Sequence, residues 1–198
     1  MSFFIGDGKG RGRSAGVNQD NQLLTRSVSV DSQEQGTVFG ESFNVNTGLI
    51  TLTTADESGV LYVKNTYSSR NVVVTGIVAI LGPSTGGSTT DTTRIRIYRN
   101  PTTGTLITDA TAVDTNSNRN FGEDSTLTAD AYKGTEGSTI TDGTVHLESL
   151  VNPGNRVFFS IDEMLQPGNS IAVSYEPNDS NTSMKCMTAI VCHLLREE

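Results

Sequence analysis

A chain of 198 residues suits one domain of ordinary size with its own core. Its formal net charge of −8, with a pI near 4.7, is unevenly spread. Residues 1–30 carry four basic and two acidic residues, and residues 31–198 carry ten basic and twenty acidic ones. A body this acidic is repelled by DNA and by anionic lipid, so only the N-terminal segment could seek an anionic partner. Abundant Thr, Ser, Gly, Asn and Val with no Trp favours strands and turns over helices.

Residues 1–26 read as an extended arm, low in apolar content and rich in Gly, Ser, Asn and Gln. Within it, Lys9, Arg11 and Arg13 alternate with Gly8, Gly10 and Gly12, and Arg26 closes the segment. This is not a P-loop, which needs an upstream Gly and a Ser or Thr after Gly-Lys. Gly10-Arg-Gly12-Arg-Ser-Ala15 fits the loose dinucleotide pattern, but "VNQDNQ" makes a poor helix to present a phosphate with a positive dipole. A nucleic-acid tail would gain only weak, salt-sensitive phosphate contacts and has no interleaved aromatics for stacking. The arm therefore reads best as a grip on a protein partner through Lys9, Arg11, Arg13 and Arg26, with a simply solvated tail as the alternative. "MSFFIG" is too short for a signal-peptide core, and no apolar run approaches the roughly 20 residues of a membrane-spanning helix.

Residues 27–198 read as a single β-sandwich domain. "GLITLTT" (48–54) and "GVLYVKNTY" (59–67) suggest a hairpin turning at residues 55–58. "NVVVTGIVAILG" (71–82) is apolar on both faces and belongs at the centre of a sheet. "TTRIRIYRN" (92–100) turns Ile95 and Ile97 one way and Arg94, Arg96 and Tyr98 the other. "GTLITDATAV" (104–113) reads as a further strand. A polar stretch then runs from Asp114 to Gly143, with little beyond "TLTADAY" as strand material. It reads either as a contact loop anchored by Arg119, Phe121 and Tyr132 or as a pair of short strands. "TVHLESLV" (144–151), "RVFFSID" (156–162), "SIAVSYEP" (170–177) and "SMKCMTAIVCHLL" (183–195) complete the pattern, with turns at Pro153-Gly154 and Pro167-Gly168. About nine or ten strands with no convincing helix predict an all-β, jelly-roll-like sandwich with an extended N-terminal arm.

Chemistry is sparse. Cys186 and Cys192 lie six apart on one strand, roughly 20 Å from end to end, too far to bridge each other. Two buried free thiols are expected, as suits a protein made in a reducing cytoplasm. His146 and His193 have no zinc-spaced partners, no Gly-x-Ser-x-Gly elbow is present, and the paired acids Asp56-Glu57, Glu123-Asp124 and Asp162-Glu163 point oppositely along a chain. Asp114, Asn116, Asn118, Glu123 and Asp124 offer oxygens to calcium without EF-hand spacing. No catalytic residue, no metal site and no cofactor are expected. Arg94, Arg96 and Tyr98 form either a subunit contact or a solvated outer face.

The phrases "VNQDNQLLTRSVSV", "FNVNTGLITLTTADESGVLYVKN", "RIYRNPTTGTLITDA", "NSNRNFG" and "LTADAYKGTEG" resemble virion structural proteins of tailed bacteriophages, over most of residues 17–140. The resemblance implies a particle component and not an enzyme. Many head-decoration (cement) proteins are small jelly rolls, often trimeric, that clamp the major capsid protein. It therefore implies a homotrimer on the capsid surface, with no nucleic-acid or membrane partner. The alternative is a host-carbohydrate-binding module on a tail or fibre, using Tyr98, Phe121 and Tyr132; a glycan depolymerase ranks third.

Overall fold

The computed structural model describes residues 5–6, 14–17, 23–24, 32–83, 92–115, 118–178 and 183–195, in two units comprising residues 1–31 and 32–198. In the first unit β1 (Ile5–Gly6), β2 (Ser14–Val17) and β3 (Leu23–Leu24) pair antiparallel in chain order. Lys9, Arg11, Arg13 and Arg26 lie outside the described residues.

The second unit runs α1 (Ser32–Val38), β4 (Ser42–Asn46), β5 (Ile50–Leu52), β6 (Ser58–Asn65), β7 (Val72–Leu81), β8 (Thr93–Arg99), α2 (Thr105–Thr108), β9 (Thr111–Ala112), β10 (Ala129–Lys133), β11 (Thr144–Val151), β12 (Arg156–Leu165), β13 (Ser170–Pro177) and β14 (Met184–Leu194). One sheet has the order β12-β7-β14-β4, with β5 also on β14, and the other β11-β8-β13-β6-β10-β9. All pairings are antiparallel, and four of them nest: β4 with β14, β6 with β13, β7 with β12, β8 with β11. With the short β5, β9 and β10 set aside, the first of these eight strands pairs with the last, the second with the next to last, and so inward to the β8–β11 pair. That is the topology of a jelly roll, a long hairpin rolled into two facing sheets.

The core lies between the sheets. Alternate residues of β7 and β8 supply Val74, Ile77, Ile95 and Ile97, and β4, β6, β13 and β14 add Phe43, Val63, Val173 and Ile190. Tyr175 of β13 is fully buried, and its hydroxyl meets that of Thr188 on β14, joining the two sheets across the core. Burial pushes the phenol above its ordinary pKa, so it stays a neutral hydrogen-bonding group. At an open edge, His146 of β11 meets Glu163 of β12 at 2.9 Å, beside bulges in both strands. Cys186 and Cys192 are free and buried on β14, and burial pushes both thiols up to about 12.

Strands β7, β11, β13 and β14 fall where periodicity places them, with β7 central between β12 and β14. The structure corrects three other expectations. Residues 48–67 form no hairpin, because β5 joins β14 in one sheet while β6 joins β13 and β10 in the other; residues 55–58 cross between layers. "GTLITDATAV" is not a strand: it forms α2 and only the two-residue β9. Of the polar stretch, only the expected "TLTADAY" phrase yields a strand among the described residues, β10, and not a pair of short strands.

α2 is placed by Leu106, its fully buried residue. Leu106 packs over β6 at Gly59, where an added Cβ would lie 2.9 Å from Leu106 Cδ2. Replacing Leu106 by Ala is expected to lower the unfolding free energy by about 2–5 kcal/mol, read as a reduced urea midpoint with unchanged strand content.

Candidate interaction surface

Each sheet of the sandwich has an outer face, and the two differ. On the six-stranded sheet, Arg94, Arg96 and Tyr98 project outward from β8 while Thr93, Ile95 and Ile97 point to the core. Neighbouring strands place Glu148 opposite Arg96 and Glu176 opposite Arg94. Arg94 meets Glu176 at 3.2 Å and Glu148 at 3.4 Å. Arg96 meets Glu148 and Glu176, each at 3.0 Å, and also pairs with Glu57. Partial desolvation opposes the Arg96 charge, but the hydrogen bond that Arg96 donates to Glu148 and the charges of Glu57 and Glu176 outweigh it and push its pKa up. Tyr98 donates to Glu57 at 2.6 Å, and Ser174 donates to the same oxygen. Two guanidinium groups thus serve three carboxylates, leaving the lattice one negative charge in excess.

Beside this lattice α2 covers a second small core on the same outer face. Tyr62, Leu106 and Ala172 are buried there, with Tyr98, Tyr132 and Ile140 packed against them. Tyr62 and Tyr132 are cross-strand partners on β6 and β10, and their rings stack with centroids 5.9 Å apart. Asp142 ties down the cover by accepting the Thr102 and Thr103 amides at 2.8 and 2.9 Å together with the Thr102 hydroxyl. These bonds pull its carboxyl down to about 2. A cavity of about 20 Å³ near Tyr98, His146 and Glu163 has room for roughly one water and no larger ligand.

Among the described residues, none covers the outer face of the five-stranded sheet in this way. Register places Arg156, Ile80 and Met187 in one row, Phe158, Val78, Ala189 and Asn46 in the next, and Val191 beside Asn44 in a third. With Arg119 they line a groove of about 480 Å³, and none of the lining residues is acidic. The Phe158 ring lies over Gly76, where an added Cβ would be 2.3 Å from Cζ, yet Phe158 remains 55% exposed. Arg119 Nη1 is buried and has no hydrogen-bond partner among the described residues.

Arg119 opens the loop that carries Phe121. Asn118 bridges to Phe43, and its amide donates to Gly40 O at 2.7 Å and Ser125 Oγ at 2.7 Å. Arg119 N donates to Ser42 O at 2.8 Å, and Asn120 donates to Val38 O at 3.2 Å. This loop is therefore pinned to the α1–β4 end of the sandwich, while Phe121 stands fully exposed, followed by exposed Glu123 and Asp124. The Asn118 Oδ1, named above among the oxygens open to calcium, accepts the Asn120 amide at 2.9 Å.

The structure gathers Arg94, Arg96, Tyr98 and Tyr132 on the six-stranded sheet, engaged with their own chain. Arg119 lines the groove on the other face, and Phe121 stands exposed on the loop that starts from it. Sequence reasoning missed the groove floor of Val78, Ile80, Ala189 and Val191. A signal was present: residues 71–82 are apolar on both faces, which marks either a strand buried on both sides or one whose outer face awaits a partner.

No family model and no curated protein matches the chain. Among solved structures, one of Desmodium yellow mottle tymovirus is similar at 11% identity, covering 91% of this chain and 99% of that one, with a TM-score of 0.25. One of turnip yellow mosaic virus has 13% identity over 94% and 93%, with a TM-score of 0.20. An aminopeptidase from a marine sediment Thaumarchaeota archaeon has 13% identity over 90% of this chain and 31% of that one, also with a TM-score of 0.20. Overlaps this loose leave function to be argued from the residues.

Because the Asp142 carboxyl is depressed in the folded chain, its stabilising contribution is complete above the ordinary carboxylate range and is lost as pH falls through about 4 towards 2. Hydrogen-exchange protection of the Thr102 and Thr103 amides is expected to fall across that window, and Asp142→Asn should flatten the dependence.

Proposed function

We propose that this protein is a virion structural protein that decorates a phage capsid from outside and cements it. The observation that carries the reading is the contrast between the two outer faces of the jelly roll. One is covered, ion-paired and net acidic, as suits a surface kept in water at high local concentration. The other is apolar, rimmed by arginines and left open by the described residues, as suits a surface that meets a neighbour.

In this reading the major capsid protein is the partner, reached by the basic arm through Lys9, Arg11, Arg13 and Arg26. The chain acts as a homotrimer, so several weak contacts per particle add through avidity. It takes no nucleic acid, sits on no membrane and catalyses no reaction. Support comes from the negative charge of residues 31–198 and from the phage-like phrases of residues 17–140. No helix among the described residues is long and apolar enough to cross a membrane. Of the aromatics named for the carbohydrate-module alternative, Tyr98 and Tyr132 pack against the small core under α2 and Phe121 alone stands open.

The test is to mix the purified protein with undecorated capsid shells and image them. Density repeated over the head surface is expected; density confined to one vertex, or none, would overturn the reading. Removing residues 1–26 should abolish shell binding while circular dichroism keeps its strand signature.

A further inference from the structure

We propose that the groove on the five-stranded sheet receives the Phe121–Asp124 loop of a second copy of this chain. The inference deepens the reading above and rests on it only in taking this face as a contact face. The groove has two unmet requirements. Its floor of Val78, Ile80, Ala189 and Val191, with Phe158 half out of it, presents apolar surface to water. Its rim carries the Arg119 and Arg156 guanidinium groups without an acidic lining residue. The occupant must therefore combine an apolar side chain with nearby carboxylates.

The chain itself carries that combination. In "FGED" a fully exposed phenylalanine is followed, two and three residues on, by exposed Glu123 and Asp124. The loop is held before binding by the Asn118, Asn120 and Ser125 hydrogen bonds, so seating it costs little ordering entropy. The loop starts at Arg119, on the rim of the groove, yet Phe121 stays fully exposed and leaves its own groove unfilled. Loop and groove adjoin, so two copies related by a two-fold axis can exchange loops, and a rotation of higher order closes a ring with one loop in each groove.

Native mass spectrometry and light scattering on the full chain read the oligomer. Phe121→Ser removes the knob and leaves the groove; Ala189→Arg fills the groove and leaves the knob. Each is expected to weaken self-association by about thirtyfold or more, as for a central aromatic anchor. Mixing the two restores one intact contact and gives a one-to-one heterodimer. Val78→Lys replaces Ala189→Arg if circular dichroism finds the latter unfolded. A wild-type chain that stays monomeric, oligomers that survive both substitutions, or a mixture that does not pair would each overturn the inference. Monomers that still decorate shells would defeat this inference alone, and that result would assign the groove to the capsid protein. Oligomers that ignore shells would defeat the capsid reading alone.

Discussion

A sandwich uses one face of each sheet for its core, and the rest of this molecule follows from how the two remaining faces are handled. Antiparallel strands usually meet this constraint by alternation, apolar inward and polar outward. Here neither outer face is simply polar. On the six-stranded sheet Tyr62, Ala172 and Tyr98 turn apolar surface outward and the chain supplies its own cover, α2 with Leu106. On the five-stranded sheet Val78, Ile80, Met187, Ala189 and Val191 turn outward, and the described residues supply none.

The cover on the first face depends on polar bonds as well as Leu106. A four-residue helix is too short to be stable by itself, since nucleation costs more than so few bonds return. It persists because its flanks are tied to residues 139–142: Thr105 and Thr139 bond to each other, Leu106 N reaches Thr139 O at 3.2 Å, and Asp142 holds the Thr102–Thr103 turn. The ion-pair lattice of Arg94 and Arg96 then closes the remainder of that sheet. Exposed ion pairs add little stability singly, but this arrangement fixes two long side chains and spends both cations on the chain's own carboxylates. Those arginines are poor candidates for gripping a partner, whereas Arg119 and Arg156 line the groove with no acidic residue beside them.

Period-two alternation was enough to locate β8, β11, β12 and β13 and the inward set Val157, Phe159 and Ile161. The same local pattern could not separate a hairpin from a crossover. Residues 55–58 look like a reversal because four polar or small residues serve equally well to turn back within a sheet or to step across to the facing one. What decides between them is the partner of each strand, and those partners lie more than a hundred residues away on β13 and β14. "GTLIT" misled for a related reason: its β-branched residues suit a strand, but the tertiary position of Leu106 over Gly59 makes a helical turn. Of the site residues, Phe121 and Arg119 were readable as anchors of a polar loop. The groove they adjoin was not, because it is assembled from four strands whose order periodicity does not contain.

An uncovered apolar sheet face is ordinarily an aggregation hazard, and three features restrict this one to a specific contact. Gly76 lets the Phe158 ring lie down across the sheet, so the aromatic surface forms one wall of a groove and not an isolated flat patch. Arg119 and Arg156 at the rim, with Lys185 farther along β14, make the face cationic on a chain that is acidic overall. Two copies meeting at random are repelled by their net charge of −8 apiece, but an approach that sets carboxylates against this rim is attractive at short range. Net repulsion suppresses misdirected encounters while local complementarity selects one geometry. The excess of acid over the body and the arginines at one groove thus act together, the first keeping the chain dispersed and the second choosing where it associates.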